Sequence, residues 1–192
     1  MLRWCSAIAI GGLALALAPA SSARTHRSYE IEPAVLAEIN YVRSHPQEYA
    51  EQLRDSDPTP ATIAAIRYLE SRAPAPPLEP SAGLDLSASR HAADEGAHAA
   101  FDHTGSDGSS AAQRMRRAGV WAGMLAEEMS AGQDTAQDVV RQLIVDEDVP
   151  GAGHRRDLLD PYLKLAGVGC ASHPEYGMIC VIDLASAPPP RD

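Results

Sequence analysis

Leu165-Ala-Gly-Val-Gly-Cys170-Ala171 and Gly177-Met-Ile-Cys180-Val-Ile-Asp-Leu184, joined by Ser172-His-Pro-Glu-Tyr176, decide the fold of this 192-residue chain. Both runs are dense in β-formers and the connection is rich in turn formers, so the pair is read as an antiparallel hairpin. Cys170 and Cys180 then face each other on adjoining strands near the turn. Upstream the apolar residues recur at helical spacing, and no strand–helix–strand alternation appears. Helices first and a buried hairpin last describe an α+β domain, with helices packed on an antiparallel sheet.

Upstream of the hairpin, Val35, Leu36, Ile39 and Val42 mark a helix entered through Pro33. Pro46 interrupts it while Tyr49 and Leu53 continue the face, which predicts a kink or two abutting helices. Residues 61–72 read as a helix with Ile63, Ile66 and Leu69 inward, and the proline-rich stretch 73–80 as extended chain. Residues 81–100 form an alanine-rich helix whose narrow side carries Leu84, Leu86, Ala88, Ala92, Ala93 and Ala97. Ser109 or Ser110 caps a helix that buries Met115 and ends at Gly119. Residues 124–129 suit a short strand. Asp134 is read as the cap of a helix with the stripe Val139, Val140, Leu143 and Ile144.

Residues 1–23 have Arg3 ahead of an eleven-residue apolar run, Ile8 to Ala18, and end in small residues. That is the pattern of a secretory signal and is too short to span a bilayer, which needs ~20 residues. Residues 24–33 read as a flexible lead-in, 34–186 as the folded domain and 187–192 as a proline-rich tail. The net charge is −10, and the signal takes with it one arginine and no acid, leaving −11. Such a surface repels phosphate backbones and disfavours nucleic-acid partners. Export places the chain outside the membrane, secreted or periplasmic, with no transmembrane segment in the mature form. In that oxidising setting Cys170 and Cys180 read as a disulfide, contributing roughly 2–3 kcal/mol by loop entropy.

Four stretches place metal-ligating or acid/base side chains in loops: His103, Glu127-Glu128, Asp146-Glu147-Asp148 and His154. His154 follows Pro150-Gly-Ala-Gly153 and leads into a short helix stopped by Pro161. It reads either as a functional imidazole in a first helical turn or as an ordinary polar cap. These residues are too far apart in sequence to chelate locally, so only the fold can assemble them. Two imidazoles with one or two carboxylates suit a divalent first-row ion such as zinc, and equally acid/base work. His91, Glu95 and His98 share one helix flank. Metal binding is open to them, but with alanines opposite a solvated polar face is the better reading. No GxSxG elbow supports a serine hydrolase.

Read in order, Ile39-Asn40-Tyr-Val-Arg43, His103-Thr-Gly-Ser-Asp-Gly-Ser109, Ala126-Glu127-Glu128-Met129-Ser-Ala-Gly132, Gly153-His154-Arg155 and Gly167-Val-Gly169 resemble the CAP superfamily. This is the group of cysteine-rich secretory, venom-antigen and pathogenesis-related proteins, and the likeness is to its bacterial secreted branch. It implies an α-β-α sandwich, with helices on both sides of a small antiparallel sheet, and a cleft with two histidines and two acids. His103 and His154 match the histidines, which in some members hold zinc or another divalent ion. Glu127 matches the first acid, and Asp146 is favoured for the second. Glu128 stands where the family has asparagine, which adds charge beside the site. The resemblance favours a non-enzymatic module binding a small molecule or lipid, with a metal-dependent hydrolase using Glu127 as base as the alternative.

Overall fold

A computed structural model describes residues 22–187 other than 56, 57 and 148. The signal segment up to residue 21 and the tail from residue 188 lie outside the described residues. In chain order the elements are α1 (Ser22–Ser44), α2 (Pro46–Arg54), α3 (Pro60–Glu70), β1 (Glu79–Pro80), α4 (Ala82–His98), α5 (Ala111–Arg117), β2 (Leu125–Ala131), α6 (Ala136–Val145), α7 (Gly153–Leu158), β3 (Leu163–His173) and β4 (Gly177–Ser186).

The predicted hairpin is the centre of the sheet, whose order is β1-β3-β4-β2. β3 and β4 pair antiparallel with Cys170 opposite Cys180, and the two cysteines form a disulfide. β2 pairs antiparallel on the outer side of β4, while the two-residue β1 runs parallel to β3. Side chains alternate across the sheet, and each face has its own core. Val168, Cys180, Ile182 and Leu184 pack with α1, α2, α3, α6 and α7. Val181, Ala185 and Met129 pack with α4 and α5 through Ala88, Ala92, Leu84 and Met115. The result is the α-β-α sandwich.

Gly167 and Gly169 explain how α4 lies so close to the sheet. A Cβ at either would fall inside van der Waals contact of the α4 backbone, at Leu84 and Asp85 or at Ala88 and Ser89. On the other face the buried Arg43 donates to the carbonyls of Pro76 (2.9 Å), Leu158 (2.6 Å), Asp160 (3.1 Å) and Leu163 (3.2 Å). One guanidinium thereby ties α1 to the proline-rich stretch and to the end of α7.

Four sequence expectations shift. Helix α1 begins at Ser22, Pro33 lies within it and Ile31 joins the core, so 24–33 is helical and not a loose lead-in. In α3 the inward residues are Thr62, Ala65 and Leu69, and Ile63 faces solvent. Thr135 caps α6 in place of Asp134, with its hydroxyl accepting from the Asp138 amide at 3.1 Å. In α4 the buried flank is Leu84, Ser87, Ala88, His91, Ala92 and Glu95, while Leu86 is exposed. The solvated-face reading of His91 and Glu95 therefore fails, because an alanine-rich helix gives its narrowest packing surface no unique phase.

Candidate functional site

Helix α4 ends at Ala99 in the left-handed region (φ 52°), and the chain turns back over its last two turns. The Asp102 carbonyl meets His91 Nε2 at 2.9 Å, and the Asp102 amide donates to Glu95 Oε2 at 2.7 Å. The Ser106 amide and hydroxyl donate to the Asp94 carboxylate at 2.8 and 2.6 Å. This clasped loop presents His103, whose Nδ1 lies 2.9 Å from Glu127 Oε1. Arg114, from the Ser110-capped helix α5, closes the other oxygen by donating to Glu127 Oε2 at 2.6 Å. The same guanidinium donates to the carbonyls of Ser109 and His103. Burial opposes the Glu127 charge, but the bonds from His103 and Arg114 outweigh it and hold its pKa below the ordinary carboxylate value. The bond to Glu127 in turn raises the His103 pKa against partial burial.

Asp183 stands opposite Glu127 in the β2–β4 register and is wholly buried, and among the described residues no group meets full hydrogen-bond geometry at either oxygen, with the Ser87 hydroxyl and the Glu127 carboxylate its polar neighbours. Burial lifts its pKa, the Ser87 hydroxyl works against that, and the Glu127 charge adds to it. The sequence carried one signal for Asp183: it is the only acid in the apolar run Met178–Leu184.

Glu128 points the other way, as adjacent strand residues must. On that face His154 occupies the first turn of α7, with Nδ1 2.7 Å from Asp146 Oδ1 and Nε2 3.7 Å from Glu128 Oε2. Asp146 caps α6 in the left-handed region (φ 57°) and also accepts from the Arg155 amide at 3.2 Å. Arg155 Nη1 donates to the carbonyls of Ile144 and Val145, fastening α7 to the end of α6. Among the described residues Glu128 has no comparable donors. Burial pushes its pKa up to about 9, and the nearby Asp157 and Asp146 add to the shift. A carboxyl raised this far favours its protonated form at pH 7.

The structure thus assembles the five chosen residues as two pairs plus a neutral acid. His103 meets Glu127, and His154 meets Asp146 with Glu128 close by; Glu147 of the acidic run is exposed. Among the described residues no hydrogen bond or ion pair joins the two groups. In each pair Nδ1 donates to a carboxylate, which in the neutral ring leaves the Nε2 lone pair free to ligate, the arrangement that orients ligating imidazoles. Each ring is oriented as a single metal ligand would be, but among the described residues neither His103 nor His154 belongs to a group of three side chains close enough to hold an ion. Sequence reasoning missed Arg114, which lies among Arg116 and Arg117 with nothing in the pattern to single it out.

Asp146 and His154 also line a groove of about 550 Å³, together with Thr62, Phe101, Met129 and Leu143. A second cavity of about 290 Å³ lies between α4 and α5, lined by Ser87, His91, Asp94, Ser106 and Arg114 among others. Beside it, one ligand atom from each of His91, Asp94 and Glu95 lies within 4.8 Å of the others, close enough to hold a metal ion.

The fold is a three-layer sandwich with two histidine–carboxylate pairs, one on the outer strand through Glu127 and one between the ends of α6 and α7. The family model described as the cysteine-rich secretory protein family, CAP, matches residues 36–184, and the chain belongs to this family. Two solved structures share the fold, each at 16% identity. One is an extracellular protein containing a SCP domain from Bacillus anthracis, with a TM-score of 0.56 over 91% of this chain; the match covers 45% of that protein. The other is an outer surface protein of Borrelia burgdorferi, with a TM-score of 0.52, covering 79% of this chain and 94% of that one. Among curated proteins none matches.

Proposed function

We propose that residues 34–186 form an exported binding module whose groove beside His154 takes a small molecule or lipid. His103 and His154 remain available to a divalent ion such as zinc. The groove is the observation that carries this reading. Its volume is that of a ligand pocket, its walls combine apolar side chains such as Phe101, Met129, Leu143 and Val145 with a larger number of polar and charged ones, and His154 and Asp146 are among those able to orient a head group. An extracellular or periplasmic setting is supported by the disulfide, by the signal-like residues 1–23 and by the extracellular and outer-surface proteins that share the fold. No helix among the described residues is long and apolar enough to cross a membrane.

The hydrolase alternative asks Glu127 to act as general base. Both its oxygens are engaged, by His103 and by Arg114, and its pKa is held low, the reverse of a base poised near neutrality. Binding makes no such demand.

The test is titration of the mature chain with a fluorescent fatty acid, beside an Ala131→Trp variant that fills the groove from the end of β2. Saturable binding weakened at least ~10-fold by the tryptophan is expected, a loss of about 1.4 kcal/mol. No saturation, or equal affinity in the variant, would sink the groove reading. Metal-dependent turnover of an ester or peptide library that His154→Ala abolishes would favour the hydrolase.

A further inference from the structure

We propose that His91, Asp94 and Glu95 form a divalent-metal site on α4, independent of the groove beside His154. The three residues stand at i, i+3 and i+4, so they share one flank of the helix. One ligand atom of each lies within 4.8 Å of the other two.

The state of His91 points to an ion. The ring is 1% exposed. Its Nε2 is 2.9 Å from the Asp102 carbonyl, which can only accept, so in the neutral ring Nε2 carries the proton and Nδ1 presents a bare lone pair. Nδ1 is buried and has no hydrogen-bond partner. It faces Glu95 Oε1 across 4.0 Å, too long for a hydrogen bond. Two atoms bound to one tetrahedral ion at about 2.0–2.2 Å stand roughly 3.3–3.6 Å apart, so an ion would draw the pair together by about half an ångström. An imidazole whose far N–H is held by a backbone carbonyl is oriented as a metal ligand is.

The carboxylates are held as firmly. Glu95 Oε2 accepts from the Asp102 amide, and Asp94 accepts from the Ser106 amide and hydroxyl, so one loop fixes all three side chains from above. His91 and Asp94 also line the 290 Å³ cavity between α4 and α5, which supplies an entry path from solvent. One nitrogen and two carboxylate donors suit a first-row divalent ion such as Zn²⁺ or Mn²⁺, and they offer too few oxygens for Ca²⁺.

Zinc titration of the full chain by calorimetry tests the site. Binding of one equivalent by the His103→Ala/His154→Ala double variant, with at least ~10-fold weaker affinity when Asp94→Asn is added, is the expected result. Loss of all zinc binding in the double variant places the ion at His103 and His154 and overturns the proposal, as does unchanged affinity on adding Asp94→Asn. Substituting the buried His91 risks the fold, so the unmodified chain gives a second readout. Nitrogen NMR of its imidazoles should show His91 Nδ1 shifting on zinc addition while Nε2 stays protonated. An Nδ1 resonance unmoved at saturating zinc overturns the site. Neither outcome bears on fatty-acid binding in the groove.

Discussion

Glu127 and Glu128 are adjacent on β2 and nearly equally buried, with side chains 2% and 3% exposed, yet they hold opposite charge states at neutral pH. Glu127 accepts from a guanidinium and an imidazole and stays ionised. Glu128 has acids for neighbours and keeps its proton to about pH 9. Burial opposes ionisation in both. The difference lies in whether the fold supplies donors to offset desolvation, and on a strand that is decided by which face a residue points to.

The largest effect that would break this contrast comes from Arg114→Leu. It leaves Glu127 buried without its main counter-charge, and a loss of about 3–5 kcal/mol in urea unfolding at pH 7 is expected. An unchanged midpoint would mean that Glu127 is not held as an anion. Glu128→Gln should lie within about 1 kcal/mol of wild type below about pH 4.5 and be the more stable of the two at pH 7, where only the unfolded wild-type chain gains by ionising this group. The sharper readout is pH. An acid whose folded pKa is raised contributes stability that is full below its unfolded value of about 4.5 and is lost as pH climbs through about 9. The glutamine variant should have a flatter stability profile than wild type between about pH 4.5 and 9, and parallel profiles there would contradict the assignment. The smallest effect belongs to His103→Ala, roughly 1 kcal/mol or less because the imidazole side chain is 57% exposed. His103 has a raised pKa, so its contribution is full below about pH 6.5 and lost as pH rises through the folded value. The alanine variant should lose that segment of the pH profile and little else.

The hairpin, the strand at β2, the Ser110-capped helix and the stripe of α6 were legible in the sequence because local pattern and turn chemistry determine them. Helix α3 was found but its phase was not, since Thr62 and Ala65 turn inward where isoleucines seemed the stronger anchors. On α4 the polar residues His91 and Glu95 are buried because the distant loop 102–106 satisfies them, and no periodicity reports a partner eleven residues away. The candidate site was legible as a set of residue types. That Glu127 and Glu128 part company across a strand follows from alternation once β2 is placed, but their opposite charge states depend on Arg114 and Asp157, which only the assembled fold brings near.

The sheet order β1-β3-β4-β2 also fixes when this protein can fold. Its two central strands are the last elements of the chain, and Arg43 completes its bonds only with carbonyls 115–120 residues downstream. A chain emerging N-terminus first thus presents helices and two unpaired outer strands, β1 and β2, until the hairpin arrives. Contacts of such long sequence separation close late, so the sheet is complete only once the hairpin is in place.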